Sequence, residues 1–168
     1  GYPIPEIEEI SNYCTSNGVY LIEDCAHAPL TKINNKYVGT FGDASIFSFF
    51  PTKPIPAGEG GLVLFKNPNI SEKVKNIRDY GKETKDGIIL HKLPAVSNGR
   101  LNEFSAAIIL TFIRNYKSII SQKNMIAEIY GKYIPKKLIY QFDKKYKQEV
   151  SHYKYITFVN SNQYSVSP

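Results

Sequence analysis

The chain has 168 residues, 42% of them hydrophobic, and 21 Lys and Arg against 15 Asp and Glu give it a formal charge of +6. That is about one domain and enough to bury a core, while no stretch approaches the ~20 apolar residues of a membrane span. Two cysteines and three scattered histidines make neither a disulfide framework nor a metal site, which points to a reducing, cytoplasmic setting. The lysines are dispersed except at 136–137 and 144–147, a pattern of solvated charge that argues against a nucleic-acid partner.

Residues 5–17 place Ile7, Ile10 and Cys14 at near-helical spacing and stop at Asn17-Gly18, which predicts a helix. Val19-Tyr20-Leu21-Ile22 is a short apolar run of the kind buried on both faces in a parallel sheet, with Asp24 at its carboxyl end. Residues 30–43 read as loop or short hairpin. Residues 45–50 and 61–65 form two further apolar strands. Between them lie Pro51, Pro54 and Pro56, then Ala57-Gly58-Glu59-Gly60-Gly61, a loop stiffened by proline and opened by glycine.

A helix is expected from Ser71 to Tyr80-Gly81, followed by an irregular connection over 82–98. Residues 102–117 carry the strongest helical signal, with Phe104, Ala107, Ile108, Leu110 and Ile113 as a broad apolar surface. A second helix spans 118–133 with Ile119, Ile120, Ile126, Ile129 and Tyr130 on its buried side, and Pro135 closes it. Residues 152–159 read as a strand opening a smaller domain. Helix and strand in this order predict an α/β fold. Residues 1–117 are expected to belong to a large domain, and 118–168 to a linking helix and the start of a small one. A start at Gly1 and an end at Ser165-Val166-Ser167-Pro168 read as cuts through a larger protein.

Three words carry chemistry: Ile22-Glu23-Asp24-Cys25-Ala26-His27, Ser48-Phe49-Phe50-Pro51-Thr52-Lys53 and Gly58-Glu59-Gly60-Gly61. An acid leaves one strand, a hydroxyl leaves another, and a lysine sits in a proline-braced loop. The set suits a group with a ring nitrogen, an aldehyde and a phosphate, which describes pyridoxal 5′-phosphate. Lys53 would take the aldehyde, Asp24 the ring nitrogen and Ser48 the phosphate. His27 would contact the ring oxygen or pack beside the ring. Taken singly, the bland readings are a solvated lysine, a turn aspartate, a serine bonded within the sheet and a structural histidine. The glycine segment is no nucleotide P-loop, since no Lys-Ser or Lys-Thr follows it.

These words resemble the DegT/StrS family of nucleotide-sugar aminotransferases, which are fold-type I pyridoxal-phosphate enzymes. Gly39-Thr40-Phe41-Gly42-Asp43, Arg78-Asp79-Tyr80-Gly81, Asn98-Gly99-Arg100-Leu101-Asn102-Glu103 and Ile126-Ala127-Glu128-Ile129-Tyr130 extend the resemblance. It implies the large domain of a fold-type I transferase, with Lys53 as the Schiff-base lysine, Asp24 as the pyridinium partner and Ser48 as a phosphate ligand. It also implies a homodimer in which Asn98 reaches the cofactor phosphate of the neighbouring subunit. The implied reaction moves an amino group, with glutamate as donor, to the keto group of a nucleotide-linked sugar for polysaccharide or glycosylated-metabolite synthesis. Pro54 and Lys123 stand where the family often has Asn and Arg, and family members are about twice this length. The alternatives are another fold-type I reaction, such as cysteine desulfuration, or a truncated paralogue without catalysis.

Overall fold

Two short parallel strands frame the site. In the computed structural model, which describes residues 1–91, 97–138 and 147–158, α1 (Ile7–Ser16) leads into β1 (Ile22–Asp24). α1 stops at Asn17, whose side chain donates to the Tyr13 carbonyl, before Gly18 at φ +65° reverses the chain. β1 lies parallel to β4 (Ala44–Ser48), with Asp24 opposite Ile46. Between them runs a small hairpin, β2 (Lys32–Ile33) and β3 (Lys36–Tyr37), in place of the usual crossover helix. β5 (Gly61–Phe65) then returns antiparallel to β4, because the loop over 49–60 turns straight back.

α2 (Pro68–Arg78) begins at the Asn67 cap, whose side chain accepts from the Asn69 N–H, with Pro68 as its first residue. It therefore starts ahead of the expected Ser71. The irregular connection expected over 82–98 is instead ordered at its start: β6 (Lys82–Lys85) and β7 (Ile88–His91) form an antiparallel hairpin. Its two-residue turn is Asp86-Gly87, both at positive φ (53° and 77°), the geometry Asp-Gly favours. Residues 92–96 of that connection lie outside the described residues.

α3 (Glu103–Arg114) and α4 (Tyr116–Tyr133) follow, broken at Asn115 rather than near 117. A 3-10 turn over Lys136–Leu138 comes next, and β8 (Gln148–Glu149) pairs antiparallel with β2. The strand expected over 152–159 does not form over 152–158. His152 sits at φ 46°, a left-handed conformation that interrupts an extended run. Val159, the 144–146 part of the basic run and the terminal 165–168 lie outside the described residues.

Among the described residues the core forms three small clusters. Phe49, Ile55, Ala57 and Ile109 are packed by Leu30, Leu101 and Phe112; a second joins Ile7, Ile33 and Phe41; a third joins Cys25, Ala28 and Val38. Much of the apolar patterning stays outside them. Ile22 is 67% exposed rather than buried on both faces, since within the described residues β1 is paired on one side only. The apolar faces of α3 and α4 are likewise exposed at Phe104, Leu110, Ile126 and Ile129.

Candidate active site

The parallel register brings the carboxyl ends of β1 and β4 to one edge, so Asp24 and Ser48 leave the sheet on the same side. Open α/β sheets bind ligands at this edge. Asp24 is exposed, and one of its carboxylate oxygens accepts from the Ala26 N–H at 3.0 Å, which orders the turn leading to His27. The Cys25 N–H continues the sheet ladder to the Ile46 carbonyl at 2.9 Å.

Beneath Asp24, Glu23 is buried and its carboxylate accepts three backbone N–H groups, from Gly39, Phe41 and Gly42, each at 2.7 Å. That clamp ties the strand bearing Asp24 to the loop before β4. It also places negative charge beside Cys25: burial first, then Glu23 and Asp24, push its thiol up to about 12.

The loop carrying Lys53 is anchored at both ends. The Phe49 N–H donates to the Gly60 carbonyl and the Ala57 N–H to the Phe49 carbonyl, while Pro54, Ile55 and Ala57 are buried. The Ser105 hydroxyl, in the first turn of α3, donates to the Ala57 carbonyl at 2.7 Å. Lys53 itself is half-buried, with its own N–H on the Phe50 carbonyl. The Ser48 hydroxyl accepts from the Phe50 N–H at 3.3 Å, so here it also shapes the turn into the loop.

Asp24, His27 and Lys53 share one electrostatic neighbourhood. Partial desolvation, then Lys53, the amino terminus and Lys154 push His27 below its ordinary value, against the opposing pull of Asp24. The imidazole is therefore neutral at physiological pH. Asn98 keeps other company: it bridges to Asp79, and its side-chain oxygen accepts from Arg100 at 3.2 Å.

One group here escaped the sequence reading. Tyr153, from the segment after α4, sets its ring 4.5 Å from that of His27 and lies 5.2 Å beneath the Lys53 ammonium. Its hydroxyl bonds Thr52 at 3.1 Å, which with Lys53 and Lys154 lowers the phenol's ordinary value. Nothing local marks Tyr153, one of 13 tyrosines, as a site residue. Among the described residues, no cluster of three or more His, Cys, Asp or Glu could hold a metal ion.

The sequence matches the DegT/DnrJ/EryC1/StrS aminotransferase family over residues 1–167. A GDP-perosamine synthase of Vibrio cholerae is 41% identical over 125 residues, covering 74% of this chain and 34% of that protein. A UDP-4-amino-4,6-dideoxy-N-acetyl-beta-L-altrosamine transaminase of Helicobacter pylori is 31% identical over 127 residues, with 76% and 34% covered. Among solved structures, Helicobacter pylori PseC, an aminotransferase involved in the biosynthesis of pseudoaminic acid, superposes with a TM-score of 0.84 at 26% identity, covering 95% of this chain and 43% of that one. The aminotransferase TlmJ from Streptoalloteichus hindustanus gives 0.83 at 23% identity, covering 98% and 45%. The likeness shows the expected α/β fold, and the matched stretch spans about a third of the curated relatives' length.

Proposed function

The chain belongs to the DegT/DnrJ/EryC1/StrS aminotransferase family, and from that premise we propose that it serves amino transfer from glutamate to a keto group of a nucleotide-linked sugar. One observation carries the reading. Asp24 and Ser48 end paired parallel strands at one sheet edge, and the Tyr153 ring lies 4.5 Å from the His27 ring and 5.2 Å from the Lys53 ammonium.

The donor set fits pyridoxal 5′-phosphate. Lys53 offers a primary amine for the aldehyde, Asp24 an exposed carboxylate for the pyridine nitrogen, and Ser48 an uncharged hydroxyl for the phosphate. When bound, that group supplies an electron sink for the carbanion of amino transfer. The protein's residues do the rest. The Asp24 carboxylate would hold the proton on the ring nitrogen. His27, neutral, would pack beside the ring without adding positive charge. Lys53 would hold the aldehyde end of the group, and its Nζ would carry the proton to and from the substrate carbon.

The exposed apolar face of α3 supports a homodimer, with Asn98 completing the partner's phosphate site. The unpaired thiols of Cys14 and Cys25 suit the cytoplasm. Residues 1–117 make up part of the cofactor domain, and 118–168 lead into a smaller one. The product feeds a polysaccharide or a glycosylated metabolite. Amino transfer from glutamate to a nucleotide-linked keto-sugar, followed by mass spectrometry, tests the reading: Lys53→Ala abolishes product. Retained turnover in that variant contradicts it, as does sulfide release from cysteine in place of amino transfer.

A further inference from the structure

Lys53 carries its charge without a carboxylate partner. Among the described residues its ammonium enters no ion pair, although the side chain is half-buried. What faces it is the ring of Tyr153, with Nζ 5.2 Å from the ring centroid. The electron-rich face of a phenol ring attracts an ammonium at this distance. Lys154 Nζ lies 5.5 Å from the same ring, so the aromatic face also offsets repulsion between two cations.

The ring is fixed by contacts other than the lysine. Its hydroxyl bonds the Thr52 hydroxyl at 3.1 Å, and its ring meets that of His27 at 4.5 Å with a tilt of 44°. One side chain from the segment after α4 therefore touches two consecutive residues of the lysine loop and the histidine that follows β1. The bond to Thr52 needs the hydroxyl, whereas the contact with Lys53 needs only the ring. Substitution can separate the two.

The chemistry of an amine with an aldehyde sets the direction of the effect. A carbon–nitrogen double bond forms at Nζ, and the carbonyl oxygen leaves as water with two of the three ammonium protons. The compact ammonium is gone, and with it the attraction to the ring face. A contact made only by the free lysine opposes its attachment. We propose that Tyr153 is a positioning residue that seats the free Lys53 ammonium and so keeps the lysine readily released from the cofactor. The inference rests on the amino-transfer reading, in which Lys53 cannot stay attached throughout, and adds to it the residue that receives the lysine when free. Removing this ring therefore tightens the hold of Lys53 on the cofactor, the opposite of what loss of a binding residue does.

Titration with pyridoxal 5′-phosphate, with borohydride reduction and peptide mass mapping at each point, measures the concentration that half-labels Lys53. In Tyr153→Leu that concentration falls about two- to fivefold, the range of a cation–π contact at an exposed site. In Tyr153→Phe, which keeps the ring, it matches the parent. Weaker or equal labelling in the Leu variant overturns the seat, as does a Phe variant that behaves like Leu. A second measurement needs neither cofactor nor a folded Leu variant. Reductive methylation with 13C-formaldehyde marks each lysine, and the Lys53 signal is assigned by its loss in Lys53→Arg. Seated over a ring face, that signal lies upfield of the exposed lysine methyls in the parent and in Tyr153→Phe; an unshifted signal in the parent overturns the seat. The two failures stay distinct. A labelled Lys53 with an unshifted signal overturns only the seat, and an unlabelled Lys53 with a shifted signal overturns only the amino-transfer reading.

Discussion

Three backbone N–H groups converge on the Glu23 carboxylate under the strand that delivers Asp24. A buried carboxylate in such a cradle is stabilised only while all its acceptors are in use. Glu23→Gln keeps the shape but turns an amide N–H toward a donor, leaving buried N–H groups unpaired. Hydrogen bonds to charged groups contribute about 1.5–3 kcal/mol each, so the variant loses about 2–3 kcal/mol in urea unfolding; a change below about 0.5 kcal/mol would remove the clamp from the account. The same neighbourhood sets the reactivity of Cys25. With its thiol raised to about 12 by burial, then by Glu23 and Asp24, it stays protonated at pH 8. One thiol, the half-buried Cys14, reacts with a disulfide reagent in the native protein, and two react after denaturation. Fast native reaction at Cys25 would contradict the burial argument.

Lys53 depends on an element remote from it in the chain. The Asn102 side chain caps α3 by accepting from the Ser105 N–H at 2.8 Å, and the Ser105 hydroxyl holds the Ala57 carbonyl of the Lys53 loop. Asn102→Ala costs about 1 kcal/mol, as cap removal usually does. Hydrogen exchange at the Ala57 amide rises with it; unchanged exchange there would uncouple the cap from the loop. At this scale the sequence was partly legible. β5 stands out as an unbroken apolar run and β4 as an apolar-rich one, each close to glycine or proline signals. The positions of Asp24, Ser48 and Lys53 at or past strand ends were legible, because each follows an apolar run. The β6–β7 hairpin was missed although Asp86-Gly87 marks its turn; charged β6 residues Lys82 and Lys85 hide any apolar alternation. Tyr153 was illegible for a different reason: its bond to Thr52 joins residues 101 positions apart, which no local pattern encodes. The strand expected around it failed at the left-handed His152.

At the scale of the whole molecule, buried imidazole couples stability to pH. His152 lies below its ordinary value through burial, the amino terminus and Lys123, so the unfolded chain binds more protons than the folded one once the pH falls below about 6.5. Its contribution is present above that pH and is lost as pH falls through it. The urea midpoint is lower at pH 5.5 than at pH 7.5, and His152→Asn shrinks the difference; an equal difference in the variant would assign the effect elsewhere. The exposed apolar surface belongs to this scale too. Phe104 is 84% exposed and Ile22 67%, apolar surface of the kind the proposed homodimer would cover. Sedimentation at increasing concentration shows self-association, and a monomer at every concentration would oppose the homodimer.

The proposed cofactor site formed by Asp24, His27 and Lys53 beside the β1/β4 edge is the centre of the account. Incubation with pyridoxal 5′-phosphate, borohydride reduction and peptide mass mapping tests it most directly. A phosphopyridoxyl group confined to Lys53 among 21 lysines and arginines is the result predicted. No adduct, or label scattered over surface lysines, would contradict it.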